Sequence, residues 1–209
     1  GAARLLSFSA GDRRGRRRVG YLPENLQFPR YQTARTALEY YGQLSGLSLA
    51  EIRGKREALL ATVGLQGRDR ESVRRYSKGM LQRLGLAQAL LHDPEVLILD
   101  EPTDGLDPVG RSHVRNILAQ LRDEGRTVFL NSHLLQEVEL VCDRVAILDR
   151  GTLRFEGTIG DMTPTHQTAL ILHLATSEEA ARAAIGSHEI EQLRVVPSGL
   201  VQLILPLQD

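Results

Sequence analysis

Several things are scarce in this sequence, and each scarcity removes a class of explanation. One cysteine, Cys142, in 209 residues excludes an internal disulfide and fits a reducing compartment. No apolar run approaches the length of a membrane span, and no secretory leader is expected. Net charge is zero, so bulk electrostatics point to neither nucleic acid nor anionic lipid, and no nucleic-acid partner is expected. Lysine is almost missing: of 26 basic residues only Lys55 and Lys78 are lysines. A phosphate-cradling loop needs Gly-x-x-x-x-Gly-Lys-Ser/Thr, and that pattern does not occur. The one Gly-Lys pair, Gly54-Lys55, is followed by Arg56, has Leu49 where the first glycine belongs, and falls among helix formers instead of after a strand.

What is present centres on the stretch from Val96 to Pro108. Val96-Leu97-Ile98-Leu99, lying between Pro94 and Pro102, predicts a central parallel strand buried on both faces. Asp100 and Glu101 arrive at its C-terminal end, the edge where open α/β sheets bind ligands. Two adjacent carboxylates there cost enough desolvation to need a purpose. The useful division of labour puts one on a hard cation while its neighbour takes a proton from water.

The remaining chain reads as alternating elements. Leu5-Leu6-Ser7-Phe8 is a short apolar stretch, and Arg13, Arg14, Arg16, Arg17 and Arg18 form a basic cluster, read as a solvated loop in preference to an anion site. Thr33–Leu44 and Leu49–Val63 predict helices separated by Ser45-Gly46, with Leu38, Tyr41, Leu44, Ile52, Leu59, Leu60 and Val63 on their inner faces. Ser77 is a suitable N-cap for a helix carrying Met80, Leu84, Ala87 and Leu91 on one stripe. Asp107-Pro108 starts another by cap and N1 chemistry, with Val114, Ile117, Leu118 and Leu121 inside. Thr127 to Leu130 predict a second buried strand that delivers Asn131-Ser132-His133 to the edge holding Glu101. A helix from Leu134 to Cys142 is expected to bury Leu134, Leu135, Val138 and Val141, and a hairpin turns at Asp149-Arg150-Gly151. Beyond about Thr163, a strand at 169–175, a helix opened by Thr176 and Glu179, and two strands around Pro197-Ser198-Gly199 predict a β-α-β-β unit without a chemical motif.

Several of these stretches, in this order, resemble one family. The Val96 to Pro108 stretch is similar to the Walker B strand and D-loop of the ABC ATPases, and Tyr76-Ser77-Lys78-Gly79-Met80-Leu81-Gln82-Arg83 resembles their signature sequence, as YSKGM instead of LSGGQ. Asn131-Ser132-His133 resembles the switch histidine, and Gly20-Tyr21-Leu22-Pro23-Glu24 the Q-loop, with Glu24 where a glutamine is usual. The resemblance covers about residues 5–160 and implies an α/β, P-loop NTPase-like parallel sheet, with a helical subdomain at about 32–92. It implies a domain over 1–160 that is incomplete at its N-terminus, without Walker A, and a small C-terminal extension over 161–209. Because the chain opens on Gly1 and not Met, it is expected to be a piece of something longer.

The chemistry implied by the resemblance is ATP hydrolysis with Mg²⁺. Asp100 and Glu24 would serve the metal, Glu101 would be the general base, and His133 would bond the γ-phosphate and orient water. Ser77, Lys78, Gly79 and Met80 would reach the nucleotide of an opposite subunit, with Asp107 and Glu24 also on the nucleotide side. Implied partners are a transmembrane permease subunit and a second ATP-binding subunit, equal or different, at the inner face of the cell membrane. Each charge-assisted hydrogen bond of a phosphate loop contributes roughly 1.5 to 3 kcal/mol. Micromolar to millimolar ATP binding totals only about 8 to 4 kcal/mol. The chain alone is therefore expected not to hold ATP tightly. Two readings stay open: an ATP-hydrolysing subunit of an exporter, or a non-catalytic helper that lends its signature helix to a complete ATPase.

Overall fold

The computed structural model describes residues 3–162, 169–174, 179, 192–195 and 201–206. Two compact units divide the chain, Gly1–Cys142 and Asp143–Asp209, a division that falls earlier than the one expected near residue 160.

The first unit opens with a hairpin of β1 (Arg4–Leu5) and β2 (Phe8–Ser9). Next comes the one-turn helix α1 (Arg13–Arg16), capped by Asp12, whose carboxylate accepts the Arg14 amide. Arg13, Arg14 and Arg16 are thus in a helical turn and not a loop, because Asp12 supplies the cap that the composition alone did not reveal, while Arg17 caps its end and Arg18 follows in a turn. After β3 (Val19–Leu22) come α2 (Ala34–Leu44) and α3 (Leu49–Thr62). Each begins with a capping box, Thr33 with Thr36 and Ser48 with Glu51, in which side chain and backbone amide satisfy one another. Leu38, Ile52, Leu60 and Val63 are buried as expected, whereas Leu44, at the last turn of α2, is 69% exposed.

The helix α4 (Lys78–Leu90) leads into β4 (Val96–Asp100), then α5 (Pro108–Asp123), β5 (Thr127–Asn131) and α6 (Leu135–Val141). The sheet order is β3-β4-β5, all parallel, with β4 in the middle. Its register places Leu22, Leu99 and Leu130 abreast on one face and Tyr21, Ile98 and Phe129 abreast on the other. The first face packs into the core: Leu22, Leu97 and Leu99 are fully buried together with Leu84 and Leu86 of α4 and Leu118 of α5. Gly20 makes that packing possible, since a Cβ there would stand 2.2 Å from the Ala89 carbonyl oxygen.

The second face is open, with Tyr21 at 51% and Phe129 at 64% exposure. Burial on both faces, expected for β4 and for the strand at Thr127 to Leu130, is therefore partial: on the second face Val96 of β4 is buried and Ile98 half-buried, while Phe129 of β5 is exposed. A run of apolar residues reports that a strand is central, but not how many of its faces are covered. A similar correction applies to α6, where Val138 and Val141 are buried but Leu135 is 51% exposed.

In the second unit β6 (Arg144–Asp149) and β7 (Thr152–Thr158) form an antiparallel ladder. The two-residue turn Arg150-Gly151 has positive φ at both positions, the geometry a tight hairpin requires. The short helix α7 (Ile159–Met162) follows. The strands β8 (Ala169–Leu174), β9 (Gln192–Val195) and β10 (Val201–Pro206) make an antiparallel sheet in the order β8-β10-β9, matching the strands expected of the β-α-β-β unit. The helix expected after Thr176 lies outside the described residues, apart from Glu179.

Candidate functional site

Parallel register brings β3, β4 and β5 to a common C-terminal edge, and the acidic pair ends the middle strand. Asp100 lies directly across from Asn131, whose side-chain amide donates to Asp100 Oδ1 at 2.7 Å. That bond fixes one carboxylate oxygen and leaves Oδ2 for another partner. Glu101 leaves the strand in a left-handed conformation, φ 48°, unusual for a residue with a side chain and worth roughly 1 to 3 kcal/mol of strain. Its backbone is held on both sides. The Glu101 amide donates to the Asn131 carbonyl at 2.9 Å, and its carbonyl accepts from Gln82 Nε2 of α4 at 3.0 Å. Gln82 is itself only 6% exposed, a buried amide whose place in the fold is this one bond.

The Glu101 carboxylate is divided in the same manner as that of Asp100. Oε1 accepts the His133 backbone amide at 2.9 Å and lies 2.9 Å from His133 Nδ1. A carboxylate facing Nδ1 selects the tautomer with its proton there and turns Nε2 away. Oε2 is buried and has no hydrogen-bond partner in the protein. An unpaired buried carboxylate oxygen is costly, and such exceptions call for an explanation in function. The expected meeting of Glu101 and His133 is therefore present, with the imidazole reaching in from the neighbouring strand.

The signature turn sits next to the loop that follows Glu101. Ser77 Oγ accepts the Met80 amide at 3.2 Å, so the hydroxyl serves as the N-cap of α4. Lys78 Nζ pairs with Asp104 Oδ2 at 2.6 Å, and this hydrogen bond holds the Asp104 carboxyl below its ordinary range. Gly105, with φ 70°, lies against the Lys78 stem, and a Cβ on Gly79 would stand 2.8 Å from Leu106 Cδ2. Asp107 Oδ1 is used in capping α5 through the Gly110 amide at 2.9 Å. Glu24 is exposed and lies two residues past the end of β3, on the same edge but in no hydrogen bond or ion pair with the acidic pair.

Asn131, Gln82 and Asp104 are the contributors that sequence reasoning did not single out. Asn131 was legible in principle from register, being the residue opposite Asp100. Gln82 and Asp104 were quoted inside motifs, but nothing local reports their partners. Among the described residues no group of three or more His, Cys, Asp or Glu side chains is arranged to hold a metal. Mg²⁺ commonly keeps several waters and takes one or two carboxylates plus substrate phosphates. Asp100 Oδ2, which the Asn131 bond leaves open, and the unpaired Oε2 of the next residue, Glu101, fit that mode and not an all-protein cage.

Residues 6–104 match the family described as ABC transporter. An ABC transporter ATP-binding protein of Synechocystis is 42% identical over 92% of this chain and 55% of its own length. The linearmycin resistance ATP-binding protein LnrL of Bacillus subtilis is 35% identical over 83% of this chain and 57% of its own length. A solved ATP-binding subunit of an ABC transporter superposes with a TM-score of 0.67 at 29% identity, covering 75% of this chain and 66% of that one. The chain spans about half the length of these curated relatives.

Proposed function

This chain is an ABC ATPase over its matched region, residues 6–104, and from that premise we propose that it serves as the ATP-binding and ATP-hydrolysing subunit of an ABC transporter acting in export. The observation that carries the reading is the divided Glu101 carboxylate. One oxygen is anchored by His133, and the other is buried and free of protein partners.

Each side chain then has a definite task. Glu101 Oε2 takes the proton of a water aimed at the γ-phosphorus, and the anchored Oε1 keeps the carboxylate from rotating away. Asn131 holds Asp100 Oδ1, so that Oδ2 would be left for the metal, and Glu24, exposed past the end of β3, would be the second carboxylate to serve it. Mg²⁺ held there would supply charge neutralisation to the phosphates. His133, with Nδ1 turned to Glu101, leaves Nε2 as the ring atom for the γ-phosphate. The α4 N-terminus, with Ser77, Lys78, Gly79 and Met80, offers amides and an ammonium to the nucleotide of a second subunit. A catalytic role is favoured over the helper reading because a subunit that only lends its signature helix has no use for a strained Glu101 with an unpaired buried oxygen.

The permease docks on the helical subdomain beside a groove of about 720 Å³, lined by Leu26, Phe28 and Pro29 after β3 and by Val73, Tyr76 and Leu81 before and within α4. A permease docked there would hold the protein at the inner face of the membrane. No described helix is long and apolar enough to cross one. The test is Mg²⁺-dependent ATP turnover by the full-length protein and by its Asp100→Asn variant. Loss of turnover in the variant is expected, and equal turnover would reject the assignment.

A further inference from the structure

The arginine run at the start of the chain is sorted by the fold into two sets. Arg14 is paired with Asp12 at 2.8 Å, and Arg18 is paired with Glu95. Arg13, Arg16 and Arg17 have no ion-pair partner among the described residues. These three stand at i, i+3 and i+4 on α1 and its C-cap, so they share one face of the turn. Like charges at that spacing repel, yet the fold turns all three to a cavity of about 250 Å³. Its other walls include Ser45 and the exposed Leu44 at the end of α2, and His92 beyond α4, and no carboxylate lines it.

Position separates this cavity from the catalytic edge. Val19 opens β3, and His92 precedes β4 and bonds the Val19 carbonyl through Nε2 at 3.0 Å. The cavity thus lies at the N-terminal ends of strands whose C-terminal ends carry Glu101 and His133. Its volume falls just below the roughly 300 to 1,000 Å³ of ordinary small-molecule sites, which suits a small anionic group and not a whole cofactor. Guanidinium donors lining a cavity with no carboxylate in its walls complement the charge and the acceptor oxygens of a phosphate.

We propose that Arg13, Arg16 and Arg17, with Ser45 and His92, form a binding site for a phosphate-bearing anion at the N-terminal edge of the sheet, separate from the ATP-handling edge. The shared chemistry is a phosphomonoester, whether free in solution or borne by a lipid headgroup. His92 is a built-in reporter. Burial pushes its imidazole below the ordinary range, the bond to Val19 and the neighbouring Asp93 raise it, and Lys55 of α3 lowers it further. An anion among the three arginines offsets the surrounding positive charge and moves the His92 titration upward.

The full chain, isotopically labelled, is titrated with inorganic phosphate against chloride at constant ionic strength while the His92 ring resonances are followed. A second arm measures co-sedimentation with vesicles of phosphatidylcholine alone or with phosphatidic acid. Saturable movement of the His92 signals is expected. Arg13→Gln/Arg16→Gln/Arg17→Gln should weaken it by roughly tenfold or more, and Arg14→Gln should leave it unchanged. Ser45→Asp, which puts a carboxylate in the wall with the arginines intact, should weaken it likewise and covers the case of a triple variant that does not fold. Binding to phosphatidic acid vesicles, lost in the same variants, identifies the lipid as a source. No His92 response to phosphate together with no retention by phosphatidic acid vesicles, or equal weakening by Arg14→Gln, overturns the proposal.

Discussion

His133 Nδ1 lies 2.9 Å from Glu101 Oε1, and the same oxygen accepts the His133 backbone amide. Two donors from one residue thus converge on one carboxylate oxygen across two neighbouring strands. Removing the ring leaves the amide, so His133→Ala should keep the fold. ATP turnover by the full-length protein should drop by roughly 10²-fold, with nucleotide binding retained. Steady-state turnover beside equilibrium binding checks it, and an unchanged rate would remove the ring from the mechanism.

Gly20→Ala tests how α4 reaches the sheet. The added Cβ would meet the Ala89 carbonyl oxygen at 2.2 Å and Leu97 Cδ2 at 2.9 Å, and a backbone oxygen cannot swing aside. A loss of about 1 to 3 kcal/mol or more in unfolding free energy is expected by denaturant titration.

Arg115 Nη1 donates to Glu137 Oε1 at 2.8 Å, and Glu137 is only 8% exposed, with Oε2 unpaired. Arg115→Met strands that carboxylate beside apolar α5 and α6, so it should cost roughly 3 kcal/mol. Arg115→Met/Glu137→Leu should recover most of the loss, because the cost lies in the unpaired charge. Equal destabilisation of single and double variants would contradict this.

Burial holds the His92 imidazole below its ordinary value near 6.5. The unfolded chain therefore binds more protons than the native one as pH falls through that value, and stability declines toward acid. In phosphate-free buffer, unfolding free energy between pH 8 and 5 should fall less steeply for His92→Gln than for wild type. The difference should be at most about 1.4 kcal/mol per pH unit. Identical slopes would show that His92 is not the group responsible.

Much of this architecture was legible because it is written in local chemistry. Ser77 and Asp107 are caps whose bonding partners lie three residues away, and Thr33 and Ser48 open their helices in the same way. The convergence of Glu101 with His133 followed from two apolar strands delivering polar residues to one edge. What stayed hidden depends on tertiary company. Phe129 reads as core in any apolar run, and only the missing cover over its face leaves it exposed. Leu44 and Leu135 keep helical period but remain more than half exposed. Arg13, Arg16 and Arg17 gained a common face only once Asp12 turned a loop into a helix. The pairing of Lys78 with Asp104, 26 residues apart, could not be read from either motif alone.

The central claim is that Glu101 moves the proton. The direct measurement is single-turnover ATP hydrolysis by full-length protein carrying Glu101→Gln, together with its ATP affinity. Glutamine keeps the shape and can still meet His133, but it takes no proton, so hydrolysis should fall by about 10²- to 10⁴-fold with affinity nearly unchanged. Hydrolysis at the wild-type rate would contradict the account.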